Sequence, residues 1–315
     1  MTPFRAVLVA ADFSDTSRAA FRVACSLACE TRSQVFVLHV AEPRYKLDVP
    51  AEFGGQPGLD LPVPRTPAEL GELKARLRDA YVPHRPFDVE YETREGVTAE
   101  EILRYCEKRG CDLIVMGTHG RTGLRRLVAG SIAEAVLRRA RCPVLALRTP
   151  ELPPEAERVQ VILHPTDFSS CSEPALQVAR SLARDYGARL VVIHLIPSDV
   201  LVQEAVVMLE NPREDLDSLE TMRKRLDGPD LKFPVEVRLD HGDAMAEIPR
   251  VAGELGCGLI VMGTHGRTGL DRFLMGSVAE AVLRKAPCPV LAVKVPRPEP
   301  AATGDRPITR SVTVY

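Results

Sequence analysis

Short runs of Val, Ile and Leu alternate along this chain with longer stretches in which apolar residues recur every three or four positions. The first pattern suits strands buried on both faces and the second amphipathic helices, so together they predict βαβ units and a parallel sheet. In the N-terminal half, strands are expected at 6–10, 34–40, 88–93, 113–117 and 144–148, and helices at 15–31, 67–82, 98–109 and 131–139. The C-terminal half repeats the order, with strands at 159–164, 189–195, 235–240, 259–263 and 290–295. Five strands and four helices per half is the inventory of a small doubly wound domain.

The repetition is literal in one block. LIVMGTHGRTGLRRLVAGSIAEAVLRRARCPVLALR, starting at Leu113, returns from Leu259 as LIVMGTHGRTGLDRFLMGSVAEAVLRKAPCPVLAVK, with 27 of 36 positions identical. The chain is therefore an internal duplication. A proline-rich run, TPELPPEAE, separates the halves and reads as a stiff linker. The expected division is a first domain at 1–149, a linker at 150–157, a second domain at 158–296 and a flexible tail at 297–315. The halves differ in one connection. Asp12 and Gly96 are 84 positions apart, Asp167 and Gly242 only 75, which leaves nine extra residues within 41–66 of the first half. That segment is rich in Pro and Gly and reads as a mobile surface loop, either a lid or a plain insertion.

Composition narrows the class. With 41 basic and 43 acidic residues the formal charge is −2, without the basic excess of a nucleic-acid or membrane-surface binder. No apolar run is long enough to span a bilayer, and the first one is ended by Asp12 as a buried strand would be, so a cytoplasmic location is expected. The eight cysteines form no C-x-x-C pair or zinc-like cluster. Cys111, Cys142, Cys257 and Cys288 read as reduced core residues, while Cys25 and Cys29 share a helix face.

The candidate chemistry lies in the repeated block. Gly117-Thr118-His119-Gly120 is followed after nine residues by Gly130-Ser131, and Gly263-Thr264-His265-Gly266 after nine residues by Gly276-Ser277. Glycine lets the backbone approach an anion closely or take positive φ, and a helix start offers unpaired N–H groups at the positive end of its dipole. Ser131 and Ser277 would cap the helix or donate to a phosphate. A few charge-assisted hydrogen bonds at about 1.5–3 kcal/mol each, together with burial of a base, are enough for micromolar affinity, about −8 kcal/mol. The alternative is that the glycines only make tight turns. Asp12 and Asp167 end the first strand of each half, where an acid can accept both ribose hydroxyls or cap the following helix. His39 and His194 close equivalent strands and read as packing residues. His119 and His265 have no acidic or cysteine neighbour in sequence and read as loop residues rather than catalysts.

The strand-terminal Asp, the G-x2-G-x9-G-Ser spacing and the ending CPVLA followed by Leu/Val and Arg/Lys resemble the universal stress protein family, in its ATP-binding branch and in tandem form. The resemblance covers both halves and implies two doubly wound domains, each a five-stranded parallel sheet with helices on both faces, Rossmann-like and similar to adenine nucleotide alpha hydrolases. It also implies an ATP site per half. In the first, Asp12 would meet the ribose, the main chain of Val40 and the neighbourhood of Met116 the adenine, and Gly117, His119, Gly120, Gly130, Ser131, Ile132 and Ala133 the phosphates. In the second the matching residues are Asp167, Leu195, Met262, Gly263, His265, Gly266, Gly276, Ser277, Val278 and Ala279. One departure is visible: Pro165-Thr166 precedes the second aspartate, but Ala10-Ala11 precedes the first.

The implied function is a nucleotide-dependent stress-response or signalling module acting on a protein partner, with Mg2+ arriving on the triphosphate. The rival is a slow ATPase or other ATP-using enzyme, although the loops lack the Gly-Lys-Ser/Thr of a P-loop and no base–nucleophile pair is evident. A scaffold without ligand is a third reading. Basic residues differ between the loops, with Arg121, Arg125 and Arg126 in one and Arg267, Asp271 and Arg272 in the other, which predicts tighter ATP binding by the first. Strands 144–148 and 290–295 are expected to join edge to edge, within the chain or in a homodimer, because an exposed apolar edge needs a partner.

Overall fold

The computed structural model describes residues 4–46, 61–84, 88–118, 130–148, 159–197, 217, 220–224, 226, 233–264 and 275–294. The first half carries β1 (Ala6–Ala10), α1 (Asp15–Thr31), β2 (Gln34–Ala41), β3 (Arg44–Lys46), β4 (Leu61–Val63), α2 (Pro67–Ala80), β5 (Val89–Glu95), α3 (Thr98–Arg109), β6 (Leu113–Gly117), α4 (Ser131–Arg139) and β7 (Val144–Leu147). The second carries β8 (Val161–Pro165), α5 (Ser172–Tyr186), β9 (Arg189–Ile196), β10 (Val235–His241), α6 (Ala244–Glu254), β11 (Leu259–Gly263), α7 (Ser277–Lys285) and β12 (Val290–Val293). Residues 220–224, between β9 and β10, are also helical.

Ten strands form one sheet in the order β10-β9-β8-β11-β12-β7-β6-β1-β2-β5. Within each half every pairing of this ten-stranded sheet is parallel, as βαβ crossovers require. The antiparallel contact of this sheet joins the halves: β12 runs against β7 with Leu291 opposite Leu145, Val290 opposite Ala146 and Ala292 opposite Val144. The edge-to-edge expectation is thus met inside one chain. Both strands have a neighbour on each side, and the outer edges of the sheet are β5 and β10.

Alternation along the strands divides the core. Val7 and Val9 of β1, with Leu113 and Val115 of β6, point to the face covered by α1, α2 and α5. Leu8, Ile114 and Met116 point to the face covered by α3, α4, α6 and α7. Each apolar layer runs without a break from one half into the other, so Leu145 and Leu291 are both buried where the domains meet. Side chains of this kind each contribute about 1.5–3 kcal/mol by burial.

The connection after β2 corrects the reading of 41–66 as a loop throughout. Its ends pair as an antiparallel ladder, Arg44 with Val63 and Lys46 with Leu61. The ladder is tied to α2 by a bidentate ion pair in which Arg44 Nη1 and Nη2 donate to Glu69 Oε1 and Oε2 at 2.7 and 2.9 Å. Thr66 and Glu69 form a capping box that starts α2. Residues 47–60, the linker and the tail lie outside the described residues.

All eight cysteines are free thiols. Of the four assigned to the core, Cys111, Cys257 and Cys288 are buried and Cys142 is partly exposed. Burial pushes the Cys25 thiol up to about 12, the opposite of what a reactive thiolate needs. No helix among the described residues is long and apolar enough to cross a membrane.

Candidate functional site

The strand order places β1 beside β6 in the first half and β8 beside β11 in the second, and in each half the chain leaves these two strands in opposite directions. The carboxyl ends of two such strands flank a crevice, the usual ligand position in an open α/β sheet. Asp12 follows β1, Gly117 ends β6 and Gly130-Ser131 opens α4, so three predicted elements converge there. Asp167, Gly263 and Gly276-Ser277 converge in the same way.

The aspartates sit in twin turns. Asp12 Oδ1 accepts from Ser14 N–H at 2.9 Å and from Ser14 Oγ at 2.6 Å. Asp167 Oδ1 accepts from Ser169 N–H at 3.1 Å and Ser169 Oγ at 2.7 Å. This corrects the helix-cap reading of Asp12, because Ser14 is the N-cap of α1 and accepts from Ser17 N–H at 3.1 Å. In the second half the residue before the helix is Cys171, and no side chain caps α5.

Each aspartate is followed by a phenylalanine in the left-handed region, Phe13 at φ 66° and Phe168 at φ 61°. An L-residue with a Cβ pays roughly 1–2 kcal/mol for that conformation, so the surroundings must impose it. The histidines read as packing residues do so. His39 Nδ1 lies 2.7 Å from the carbonyl of Ala11, and its ring meets Phe13 at 4.7 Å between centroids. His194 Nδ1 lies 2.8 Å from the carbonyl of Thr166, and its ring meets Phe168 at 4.6 Å. A ring nitrogen facing a carbonyl carries the proton and donates, so each histidine ties the tip of strand two to the residue before the aspartate.

The glycine loops are closed at their bases. Gly130 N–H donates to Thr118 O at 2.8 Å, and Gly276 N–H to Thr264 O at 2.8 Å. Thr118 and Thr264 are in turn held by the carbonyls of Leu147 and Val293, at the ends of the two strands that join the halves. Of the two roles open to these glycines, positive φ is not found at Gly117, Gly130, Gly263 or Gly276. Close approach explains two of them: a Cβ on Gly117 would lie 2.9 Å from Thr16 Cγ2, and one on Gly130 would lie 3.2 Å from Thr118 O. Ser131 and Ser277 are not caps, because Gly130 and Gly276 hold that position and no side chain closes either first turn.

Val40, Met116 and Ala133 are buried in one apolar layer, together with Met262 and Ala279 of the second half. Leu195 and Val278 pack at its margin, and Ser131, Ile132 and Ser277 are exposed. Val40, Met116 and Ala133 thus share the α3–α4 side of the sheet, and Leu195, Met262, Val278 and Ala279 the α6–α7 side. His119, Gly120, His265 and Gly266, with Arg121, Arg125, Arg126, Arg267, Asp271 and Arg272, lie outside the described residues. Among the described residues no group of three His, Cys, Asp or Glu side chains could hold a metal ion.

Sequence reasoning used the glycines after the third strand of each half only as markers of the repeat. Gly96 has φ 155° and Gly242 φ 138°, and a Cβ there would meet Glu101 Cγ at 2.9 Å or Glu247 Cγ at 2.7 Å. Their equivalence in the repeat was the available signal. It missed Tyr81 as well, whose hydroxyl accepts from Phe13 N–H at 2.9 Å from 68 residues away.

The fold, with its repeated strand order, defines a tandem α/β protein of Rossmann-like architecture. The profile of the Universal stress protein family matches twice, over residues 3–148 and 158–294, and the chain belongs to that family. It is 33% identical over 148 residues to universal stress protein MJ0531 of Methanocaldococcus jannaschii, covering 47% of this chain and 84% of that one. It is 31% identical over 191 residues to universal stress protein Rv2005c of Mycobacterium tuberculosis, covering 58% of this chain and 62% of the relative. Among solved structures, PA1789 of Pseudomonas aeruginosa superposes with a TM-score of 0.64 at 21% identity, over 93% of each chain. A universal stress protein of Archaeoglobus fulgidus gives 0.63 at 18% identity, over 92% of this chain and 98% of that one. Both likenesses bear on the fold.

Proposed function

We propose that this chain is an ATP-binding stress-response or signalling module with one nucleotide site in each half. The observation that carries the reading is duplicated: in each half an aspartate turn follows the first strand, and the helix after the neighbouring strand starts with glycine, not a capping side chain, before its first-turn amides. Open N–H groups at a helix start attract phosphate, and a half-buried carboxylate at the strand tip accepts ribose hydroxyls. The residues therefore fit adenosine triphosphate. Asp12 and Asp167 would hold the ribose, the main chain by Val40 and Leu195 and the region of Met116 and Met262 the base. Gly130, Ser131, Ile132 and Ala133, with Gly276, Ser277, Val278 and Ala279, would hold the phosphates, joined by Gly117, His119, Gly120, Gly263, His265 and Gly266. Magnesium would come with the triphosphate and supply charge neutralisation there.

In this reading occupancy, not turnover, is the signal. The sites sit on either side of the β7–β12 junction within one chain, domains 1–149 and 158–296 act as a built-in pair, and the setting is the cytoplasm. The test is calorimetric titration of ATP into the intact chain and into its Asp12→Asn and Asp167→Asn variants. The reading expects two sites in the parent and one in each variant. Unchanged stoichiometry in both variants would remove the ribose roles.

A further inference from the structure

The two aspartate turns share a left-handed phenylalanine and the same Asp–Ser hydrogen bonds but are held by different chemistry. In the second half the hold is local. Phe168 N–H donates to Thr166 Oγ1 at 3.1 Å, and that hydroxyl lies 2.8 Å from Ser172 Oγ, which lies 3.4 Å from His164 Nε2. In the first half the residues matching His164 and Thr166 are Val9 and Ala11, which offer no polar side chain. Ser17 matches Ser172 and accepts from Asp12 N–H at 3.3 Å. The missing hydroxyl comes from Tyr81, just beyond α2, which shares a hydrogen bond with Ser17 Oγ and accepts from Phe13 N–H at 2.9 Å.

We propose that Tyr81 is the positioning residue of the first site, its phenol standing in for the threonine hydroxyl that the first strand tip lost, so that α2 governs the Asp12 turn from outside. The departure of Ala10-Ala11 from Pro165-Thr166 is thereby explained. Tyr81 is fully buried, and its ring packs edge-on against Phe21 at 5.5 Å and at a tilt against Phe13 at 6.0 Å. Its position is set by α2, which is fastened to β5 by Thr93 Oγ1 donating to Leu70 O at 3.0 Å and by Lys74 with Glu92 at 3.3 Å. Tyr91 Oη adds a bond to the carbonyl of Tyr81 itself at 2.5 Å. The ladder of β3 and β4 grips the start of the same helix through Arg44 and Glu69. A displacement of α2 is therefore felt at Asp12, whereas the Phe168 amide beside Asp167 is held by Thr166 of its own strand tip. The two sites differ in what can regulate them: the first is sensitive to whatever engages the β3–β4–α2 unit.

The consequence for ATP rests on the nucleotide reading above, but the structural role has its own readout. Amide exchange at Phe13 and Phe168 is measured in the intact parent, in Tyr81→Phe, in Ala11→Thr, in the double variant and in Thr166→Val. Loss of a buried partner exposes the Phe13 amide about tenfold more often in Tyr81→Phe, with Phe168 unchanged. Ala11→Thr in the same chain restores protection, because its hydroxyl fills the space the phenol oxygen left. Ala11→Thr alone crowds Tyr81 and lowers the melting temperature, so the pair shows a compensating coupling. Thr166→Val frees Phe168 and leaves Phe13 as it was. ATP affinity of the first site, isolated by Asp167→Asn, follows the Phe13 pattern. Unchanged Phe13 exchange in Tyr81→Phe, or no recovery in the double variant, overturns the assignment. The exchange pattern without ATP binding in any variant or in the parent supports Tyr81 and overturns the nucleotide reading instead.

Discussion

His164 makes acid stability a property of the second half. Its ring is wholly buried in β8, with Nδ1 2.8 Å from the carbonyl of Val261 and Nε2 3.4 Å from Ser172 Oγ. Nδ1 carries the proton and donates, and Nε2 accepts from the serine, which is the neutral imidazole. Burial holds its pKa down to about 4, from an ordinary value of 6.5, against the opposing pull of the Val261 carbonyl, Glu173 and Asp167. The unfolded chain takes up a proton near 6.5 and the folded chain only near 4. The stabilisation is thus complete above pH 6.5 and is lost as pH falls from there toward 4, where the loss levels off. A depression of that size corresponds to about 3 kcal/mol. The assay is urea denaturation at steps between pH 7.5 and 4, comparing the parent with His164→Val, the residue found at the matching first-half position. The parent loses about 3 kcal/mol more than the variant across that interval. Parallel pH profiles for the two proteins would refute the reasoning.

Other perturbations have separate expected outcomes. Gly117→Ala forces a methyl to within 2.9 Å of Thr16 Cγ2, and overpacking of this kind costs about 1–3 kcal/mol in denaturation without nucleotide present. An unaltered stability would assign the glycine to ligand approach alone. Gly242→Ala, with φ 138° and a contact at 2.7 Å, destabilises more than Gly110→Ala, where φ is 63° and nothing lies within 4 Å; equal melting temperatures would contradict the steric account. Leu291→Ala removes the side chain facing Leu145 at the junction, costs about 2–5 kcal/mol, and makes the inter-domain segment more sensitive to limited proteolysis.

Much of this architecture was legible in advance because strand and helix periods do not overlap. β1, β6, β11, α1, α3 and α4 occupy the residues expected of them, where apolar runs stop at Asp, Gly or Ser. The hairpin of β3 and β4 was not legible: two three-residue strands among prolines have too few positions to show a period, and Arg44 with Glu69 does the holding. The convergence of Asp12, Gly117 and Gly130 followed from the order of strands that βαβ units impose. Which residue caps α4 did not, since glycine and serine both suit that position and stand side by side. Burial of His39 and His194 was readable from their strands, but their bonds to the carbonyls before the aspartates depend on register. Tyr81 lies 68 residues from Phe13, and only the missing hydroxyl at Ala11 pointed to a substitute.

The central claim is that the two strand-tip crevices each take one ATP. Native mass spectrometry of the intact chain with a millimolar excess of ATP and magnesium tests it most directly. The account predicts a dominant species carrying two nucleotides, reduced to one by Asp12→Asn or by Asp167→Asn. A spectrum that retains only the bare chain, under conditions in which a known ATP-binding protein keeps its nucleotide, would contradict it.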